Sequence, residues 1–179
     1  MPFKDVRPAD WFFEDLLWAH TNRFVSGSPE FSPGDSMTRA MLVAILWRMA
    51  GEPSAASVSP FADVGSGDWF RPAAVWAATG GVVSGGGGYF EPNEPVTRQE
   101  FAAMLLNYAA YENKAVLGDA PPALDFADAD SIATYAAPGV AWCYEKGIVR
   151  GRPGRIFDPL TRVSRAEMVA LLHRYAALS

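Results

Sequence analysis

The sequence predicts an all-α protein made of three helix–loop–helix repeats, and two observations carry that prediction. A hydroxyl residue followed by arginine occurs three times, as Thr38-Arg39, Thr97-Arg98 and Ser164-Arg165. Each Thr or Ser stands seven residues after the phenylalanine of a Phe-x-Pro unit, at Phe31, Phe90 and Phe157. Behind each arginine, apolar residues recur at i, i+3, i+4 and i+7: Leu42/Ile45/Leu46/Met49, Phe101/Met104/Leu105/Tyr108 and Met168/Leu171/Leu172/Tyr175. That spacing lines one face of a helix, and its recurrence in a fixed order marks an internal repeat.

The first unit opens with Phe3-Lys4-Asp5-Val6 and Asp10-Trp11-Phe12. Leu16, Leu17, Trp18 and Ala19 predict a helix ending near Phe24-Val25-Ser26-Gly27, with Gly27 as its stop because glycine accepts positive φ. The second helix is expected from about Thr38 to Ala50, and Gly51 to Pro60 reads as a linker. The second unit repeats the order with Phe61-Ala62-Asp63-Val64, Asp68-Trp69-Phe70, Trp76 and Gly85. Its run Gly85-Gly86-Gly87-Gly88 predicts the loosest of the three loops. The third begins Phe126-Ala127-Asp128-Ala129, places Tyr135 where Trp11 and Trp69 stand, and continues with Trp142 and Gly151. Pro72 and Pro138 fall early in the first helices, where a missing N–H costs nothing. The units are therefore 1–50, 61–112 and 126–179, joined by linkers 51–60 and 113–125.

One such unit is too small to bury its own stripes, so the three must share a core. A linear solenoid and a closed pseudo-threefold bundle both achieve this. Linkers of about ten residues are long for stacked repeats and suit the closed form, which leaves grooves where repeats meet.

Composition narrows the function. A net charge of −5 argues against a broad nucleic-acid-binding face. The single cysteine, Cys143, takes the place of Ala19 and Ala77 and reads as packing. His20 and His173 occupy unrelated repeat positions, no carboxylate pair stands apart from the repeat pattern, and the glycine run lacks a following Lys-Thr/Ser. No enzyme, metal site or cofactor is expected. No stretch approaches transmembrane length, so no membrane insertion is expected, and no basic-then-apolar leader opens the chain.

The helix starts carry the chemistry. Thr or Ser at the N-cap accepts a bond from a free first-turn N–H. Thr97-x-x-Glu100 and Ser164-x-x-Glu167 complete a capping box, whereas Thr38-x-x-Met41 lacks the returning carboxylate and should be the weakest start. Capping does not explain the arginines, because a cation at the positive end of a helix dipole needs an anion nearby. Two anions can serve. Asp5, Asp63 and Asp128 recur once per repeat and could pair internally, which the residues alone favour. An external carboxylate or phosphate would instead meet the guanidinium and the free helix N–H groups together.

The order Phe-x-Asp-Val, Asp-Trp-Phe, Trp-Ala, Phe-x-Pro and Thr-Arg-x-Glu resembles the S-layer homology (SLH) module, in three copies covering nearly the whole chain. The resemblance implies a three-pronged spindle that anchors a protein at the bacterial cell surface, in the cell wall and therefore exported. It also implies binding of secondary cell-wall polysaccharide, often pyruvylated, in the inter-repeat grooves. The groove arginine carries over to Arg39, Arg98 and Arg165. A guanidinium can grip a ketal carboxylate with two bonds. Trp11 and Trp69 are candidate platforms for sugar rings, with core packing the competing role, while Trp18, Trp76 and Trp142 read as core. Gly27, Gly85 and Gly151 are candidate sites of close ligand approach, with a helix stop as the other explanation. Repeat two alone keeps every element, which makes the Arg98 groove the first choice. A protein-interaction or self-assembly module using the same grooves is the alternative, and the segment can belong to a larger surface protein.

Overall fold

A computed structural model describes residues 2–26, 29–115 and 124–178 of the protein. Among them are six α-helices and no sheet: α1 (Phe13–Thr21), α2 (Arg39–Met49), α3 (Arg71–Thr79), α4 (Arg98–Tyr111), α5 (Ala137–Glu145) and α6 (Arg165–Ala176). The all-α expectation holds, and a single 3₁₀ turn at Ala129–Ser131 accompanies the altered start of the third repeat. None of these helices is long and apolar enough to cross a membrane.

Helix starts follow their sequence signals. Thr97 and Ser164 form complete capping boxes with Glu100 and Glu167. Thr38 accepts only the Met41 N–H, at 3.3 Å, so its helix is the one begun without a box. Pro72 and Pro138 sit in the first turns of α3 and α5. The helix stops differ from expectation. The first helices end at Thr21, Thr79 and Glu145, and the left-handed residues just past them are Arg23 (φ 62°), Gly81 (φ 72°) and Gly147 (φ 70°). Gly85 and Gly151 come later and stop no helix; Gly27 lies outside the described residues, as does most of the second linker. The glycine run has a defined turn geometry. Gly87 and Gly88, both at positive φ, turn a hairpin closed by the Gly86–Tyr89 bridge.

The repeats interlock in a cycle. Each first helix packs on another repeat's second helix: α3 on α2, α5 on α4, α1 on α6. At the centre, Met37 N–H donates to Val163 O (2.8 Å), Val163 N–H to Val96 O (2.9 Å) and Val96 N–H to Met37 O (2.8 Å). The first N–H groups of the second helices are also satisfied across repeats. Arg39 and Ala40 donate to Glu94 O and Pro92 O, Arg98 and Gln99 to Thr161 O and Pro159 O, and Arg165 and Ala166 to Asp35 O and Pro33 O. No repeat therefore completes its own helix starts, because the unpaired donors of one are closed by the loop of another.

Side chains complete the core. Phe31, Phe90 and Phe157 are fully buried, each against the opening phenylalanine of its own repeat (Phe3, Phe61 and Phe126, centroids 5.3–5.5 Å apart). Trp76 is buried, and Trp18 and Trp142 are partly buried against the same cluster. Cys143 is buried with its thiol directed at Ala102 O (3.8 Å), and burial pushes its pKa up, which suits packing rather than nucleophilic chemistry. Gly139 lets α5 press onto α4, since a Cβ there would come within 2.5 Å of Ala102 O.

Candidate functional site: grooves between repeats

Each site is built outward from an aspartate. Asp5 accepts the N–H groups of Phe31 and Ser32 through separate carboxylate oxygens, both at 2.7 Å. Asp63 does the same for Phe90 and Glu91 (2.7 Å each), and Asp128 for Phe157 and Asp158 (2.8 and 2.7 Å). The second residue of each pair is left-handed: Ser32 (φ 53°), Glu91 (φ 60°) and Asp158 (φ 61°). Side chains with a Cβ avoid that conformation, so the aspartate holds a turn the chain would otherwise abandon. Desolvation opposes ionisation of these carboxylates, yet their backbone donors, helped by the charges of Arg165, Arg39 and Arg98 respectively, hold them below the ordinary aspartate range.

The turn then receives an arginine from another repeat. Arg39 Nε donates to Phe90 O (2.8 Å), Arg98 Nε to Phe157 O (2.8 Å) and Arg165 Nε to Phe31 O (2.6 Å). Each guanidinium also stacks over that phenylalanine ring, at 5.4, 5.0 and 4.9 Å in the same order. Two expectations are corrected here. No Arg39, Arg98 or Arg165 salt bridge to Asp5, Asp63 or Asp128 occurs among the described residues, because both oxygens of each carboxylate are turned to backbone donors. Nor are the helix N–H groups free to meet an external anion, because carbonyls of the neighbouring repeat already occupy them.

The arginines are not equally available. Arg39 and Arg165 are half-buried and line open grooves, whereas Arg98 is only 9% exposed and spends a second nitrogen on Arg150 O (3.2 Å). Desolvation and the nearby Arg152 charge lower the Arg98 pKa despite Glu167, Asp158 and Asp128. Completeness of the repeat motif thus selects the least accessible of the three cations.

The larger groove, about 500 Å³, is lined by Arg39 of repeat one, by Val83, Ser84, Glu91, Glu100, Met104 and Asn107 of repeat two, and by Tyr135 of repeat three. The smaller, about 230 Å³, is lined by Arg165 of repeat three, by Val25, Ser26, Met41, Ile45 and Arg48 of repeat one, and by Trp69 of repeat two. Each groove therefore draws on all three repeats. Trp11, Trp69 and Tyr135 are 65%, 63% and 61% exposed, which removes the core-packing alternative for this position. Gly85 needs no ligand to explain it: a Cβ there would stand 2.5 Å from the Phe61 ring and 2.7 Å from Tyr89 O. Gly151 meets Phe126 in the same way at 3.1 Å.

Sequence reasoning passed over Tyr135, Asn107 and Arg48 as groove residues. A signal was present, since Met41, Ile45 and Arg48, like Glu100, Met104 and Asn107, share a helical face at i, i+4 and i+7. The outer member of each set, and Arg174 at the equivalent position behind Glu167 and Leu171, has a fixed task. Arg48, Asn107 and Arg174 donate to Phe24 O, Val82 O and Ile148 O at 2.8, 3.3 and 3.0 Å, which joins the groove wall to the helix.

Three interlocked repeats with exposed aromatics and held cations in the clefts between them define a repeat-built binding module. The family model of the S-layer homology domain matches residues 2–40, 60–102 and 125–169, and the chain belongs to that family. It is 32% identical to the amylopullulanase of Thermoanaerobacterium thermosulfurigenes over 174 residues, which is 96% of this chain and 9% of that protein. It is 30% identical to exoglucanase XynX of Acetivibrio thermocellus over 174 residues, 96% of this chain and 16% of the relative. Similarity to S-layer protein sap of Bacillus anthracis is 27% over 168 residues, 92% of this chain and 20% of that one. The chain thus spans about a tenth to a fifth of the length of these relatives. It is a binding module of the cell surface rather than a catalytic unit.

Proposed function

We propose that the module anchors its protein non-covalently by binding an anionic, pyruvylated secondary cell-wall polysaccharide in the inter-repeat grooves, with the units 1–50, 61–112 and 126–179 acting as one. The observation that carries this reading is the state of Arg39 and Arg165. Each lines a groove with Nε already fixed on a phenylalanine carbonyl, beside an exposed aromatic ring from another repeat. A guanidinium held in that way offers its terminal nitrogens to an acceptor oxygen of the glycan, carboxylate or hydroxyl, with little loss of freedom. The ring offers a flat apolar surface to the C–H face of a sugar. Asp5, Asp63 and Asp128 support the site by shaping the turn that holds the arginine, and Gly85 and Gly151 by admitting the opening phenylalanine.

The test is co-sedimentation with purified sacculi before and after removal of wall polysaccharide, and after chemical removal of ketal-linked pyruvate. The reading expects binding to intact sacculi and loss of binding after either treatment. Retention on stripped walls would instead favour a protein partner in the same grooves.

A further inference from the structure

The two open grooves share a plan and differ in charge. Beside Arg39, helix α4 presents Glu100 and Asn107, and Glu91 adds a second carboxylate. Beside Arg165, helix α2 presents Met41 and Arg48 at the equivalent positions, and no carboxylate lines this groove among the described residues. One cation with two carboxylates becomes two cations with none.

The bonding agrees with that contrast. Arg165 turns a terminal nitrogen to Met41 Sδ at 3.4 Å, where the other repeats place a glutamate. Arg48 donates to Phe24 O and forms no ion pair among the described residues. The acids acting on Arg165 are Asp5 and Asp35, both outside the lining, and Asp5 is committed to Phe31 and Ser32. In the larger groove, Glu91 and Glu100 would repel a carboxylate, while their oxygens and the Asn107 amide can accept from or donate to sugar hydroxyls. The floor of the smaller groove is apolar, from Met37, Ala44, Ile45 and Met168, and matches a methyl carried next to a carboxylate.

We propose that the two grooves divide one glycan between them. The Arg165–Arg48 groove holds a carboxylate-bearing sugar residue against Trp69, and the Arg39 groove holds a neutral residue through Glu91, Glu100, Asn107 and Tyr135. This rests on the reading that the grooves bind wall glycan. Met41 is then the residue that sets the charge selectivity: where the other repeats carry the capping-box glutamate it puts a thioether, so no carboxylate of the groove wall faces Arg165.

The whole chain is titrated with two probes, a methyl hexoside bearing a pyruvate ketal and the carboxyl methyl ester of the same compound. NMR signals of the Trp69 indole and the Tyr135 ring report the two grooves separately. The acid is expected to shift Trp69 with at least about tenfold higher affinity than the ester, as one desolvated charge contact gives. Met41→Glu should abolish that preference and yet raise the thermal midpoint, since glutamate completes the box with Thr38. Misfolding does not produce that pair of opposite effects. Arg48→Asn, which can keep the bond to Phe24 O as Asn107 keeps its bond to Val82 O, should also reduce the preference. An acid that shifts Tyr135 rather than Trp69, equal shifts at both, or an acid-to-ester ratio unchanged in Met41→Glu overturns the division and leaves the glycan reading standing. No binding of either probe at either groove overturns both.

Discussion

Replacing Arg98 by alanine should destabilise the module far more than the same change at Arg39, although the two residues hold equivalent positions. Read as a ligand residue, Arg98 would be dispensable to folding. Its surroundings say otherwise: it is 9% exposed, bonded through Nε to Phe157 O and through a terminal nitrogen to Arg150 O, and stacked on Phe157. Hydrogen bonds to charged groups contribute about 1.5–3 kcal/mol each, and a partly desolvated cation–π contact about 0.5–2 kcal/mol. Relief of the buried cation's desolvation offsets part of that sum, which leaves a net loss of about 2–4 kcal/mol. Arg39 makes one such bond and a longer ring contact, at 5.4 Å, both weakened by solvent at a half-buried position, and its loss should be about 1–2 kcal/mol. At roughly 2–4 °C per kcal/mol for a chain of this size, the midpoint should fall by about 5–15 °C for Arg98→Ala and by about 2–8 °C for Arg39→Ala. Thermal unfolding followed by tryptophan fluorescence and far-UV circular dichroism measures both. Arg98→Lys should behave nearly as badly as alanine, because an ammonium cannot serve two carbonyls and a ring in the geometry of a planar fork. A midpoint for Arg98→Ala no lower than that for Arg39→Ala would refute the assignment of Arg98 to the fold.

Two further outcomes follow from the turns beneath the arginines. Asp5, Asp63 and Asp128 have folded-state pKa values below the unfolded value of about 3.9, so the unfolded chain binds more protons in acid. Their stabilisation is complete above roughly pH 5 and is lost as pH falls through the folded values. Changing all three to asparagine should lower stability at neutral pH, by about 1–2 kcal/mol per site after discounting for exposure, and flatten the acid limb of a urea-midpoint profile. An acid limb as steep as that of the unmodified protein would remove the aspartates from that role. Gly85→Ala should cost about 1–3 kcal/mol in urea unfolding, because its Cβ would collide with the Phe61 ring and Tyr89 O, whereas Gly86→Ala, with nothing within 4 Å, should be near neutral.

The sequence exposed the parts of the fold that depend on periodicity and local chemistry. The stripes behind Arg39, Arg98 and Arg165 became the second helices, and the predicted difference between Thr38 and the two boxed caps is present. What it hid is partnership across repeats. Asp63 and Arg39 were legible as recurring opposite charges, and the economical inference was a direct pair. A third party, the left-handed Phe-x-Pro turn, stands between them: the aspartate binds its N–H groups and the arginine its carbonyl. Backbone groups are the same in every residue, so no side-chain pattern announces that they will take both charges. The glycines misled for a related reason. Gly85 is needed for the approach of a phenylalanine ring far from it in sequence, while the left-handed helix stop after α3 falls at Gly81.

The same turn explains why equivalent arginines end in different roles. All three guanidinium groups are latched to the next repeat through Nε, so each is first a joint between repeats. What remains for a ligand is decided by the residues around the terminal nitrogens. At Arg98 those residues are Arg150 O and the acids near it, and the cation is sealed into the interface. At Arg165 the neighbour is a thioether, and the charge is left standing in a groove with a second arginine. A departure from the repeat pattern that weakens a helix cap is therefore also what frees a cation. The copy that looks most degenerate at its helix start furnishes the wall of the most cationic of the two open grooves. Selection for an anion there would tolerate Met41 despite the lost cap, and a simultaneous gain of stability and loss of acid binding in Met41→Glu is the outcome this coupling requires.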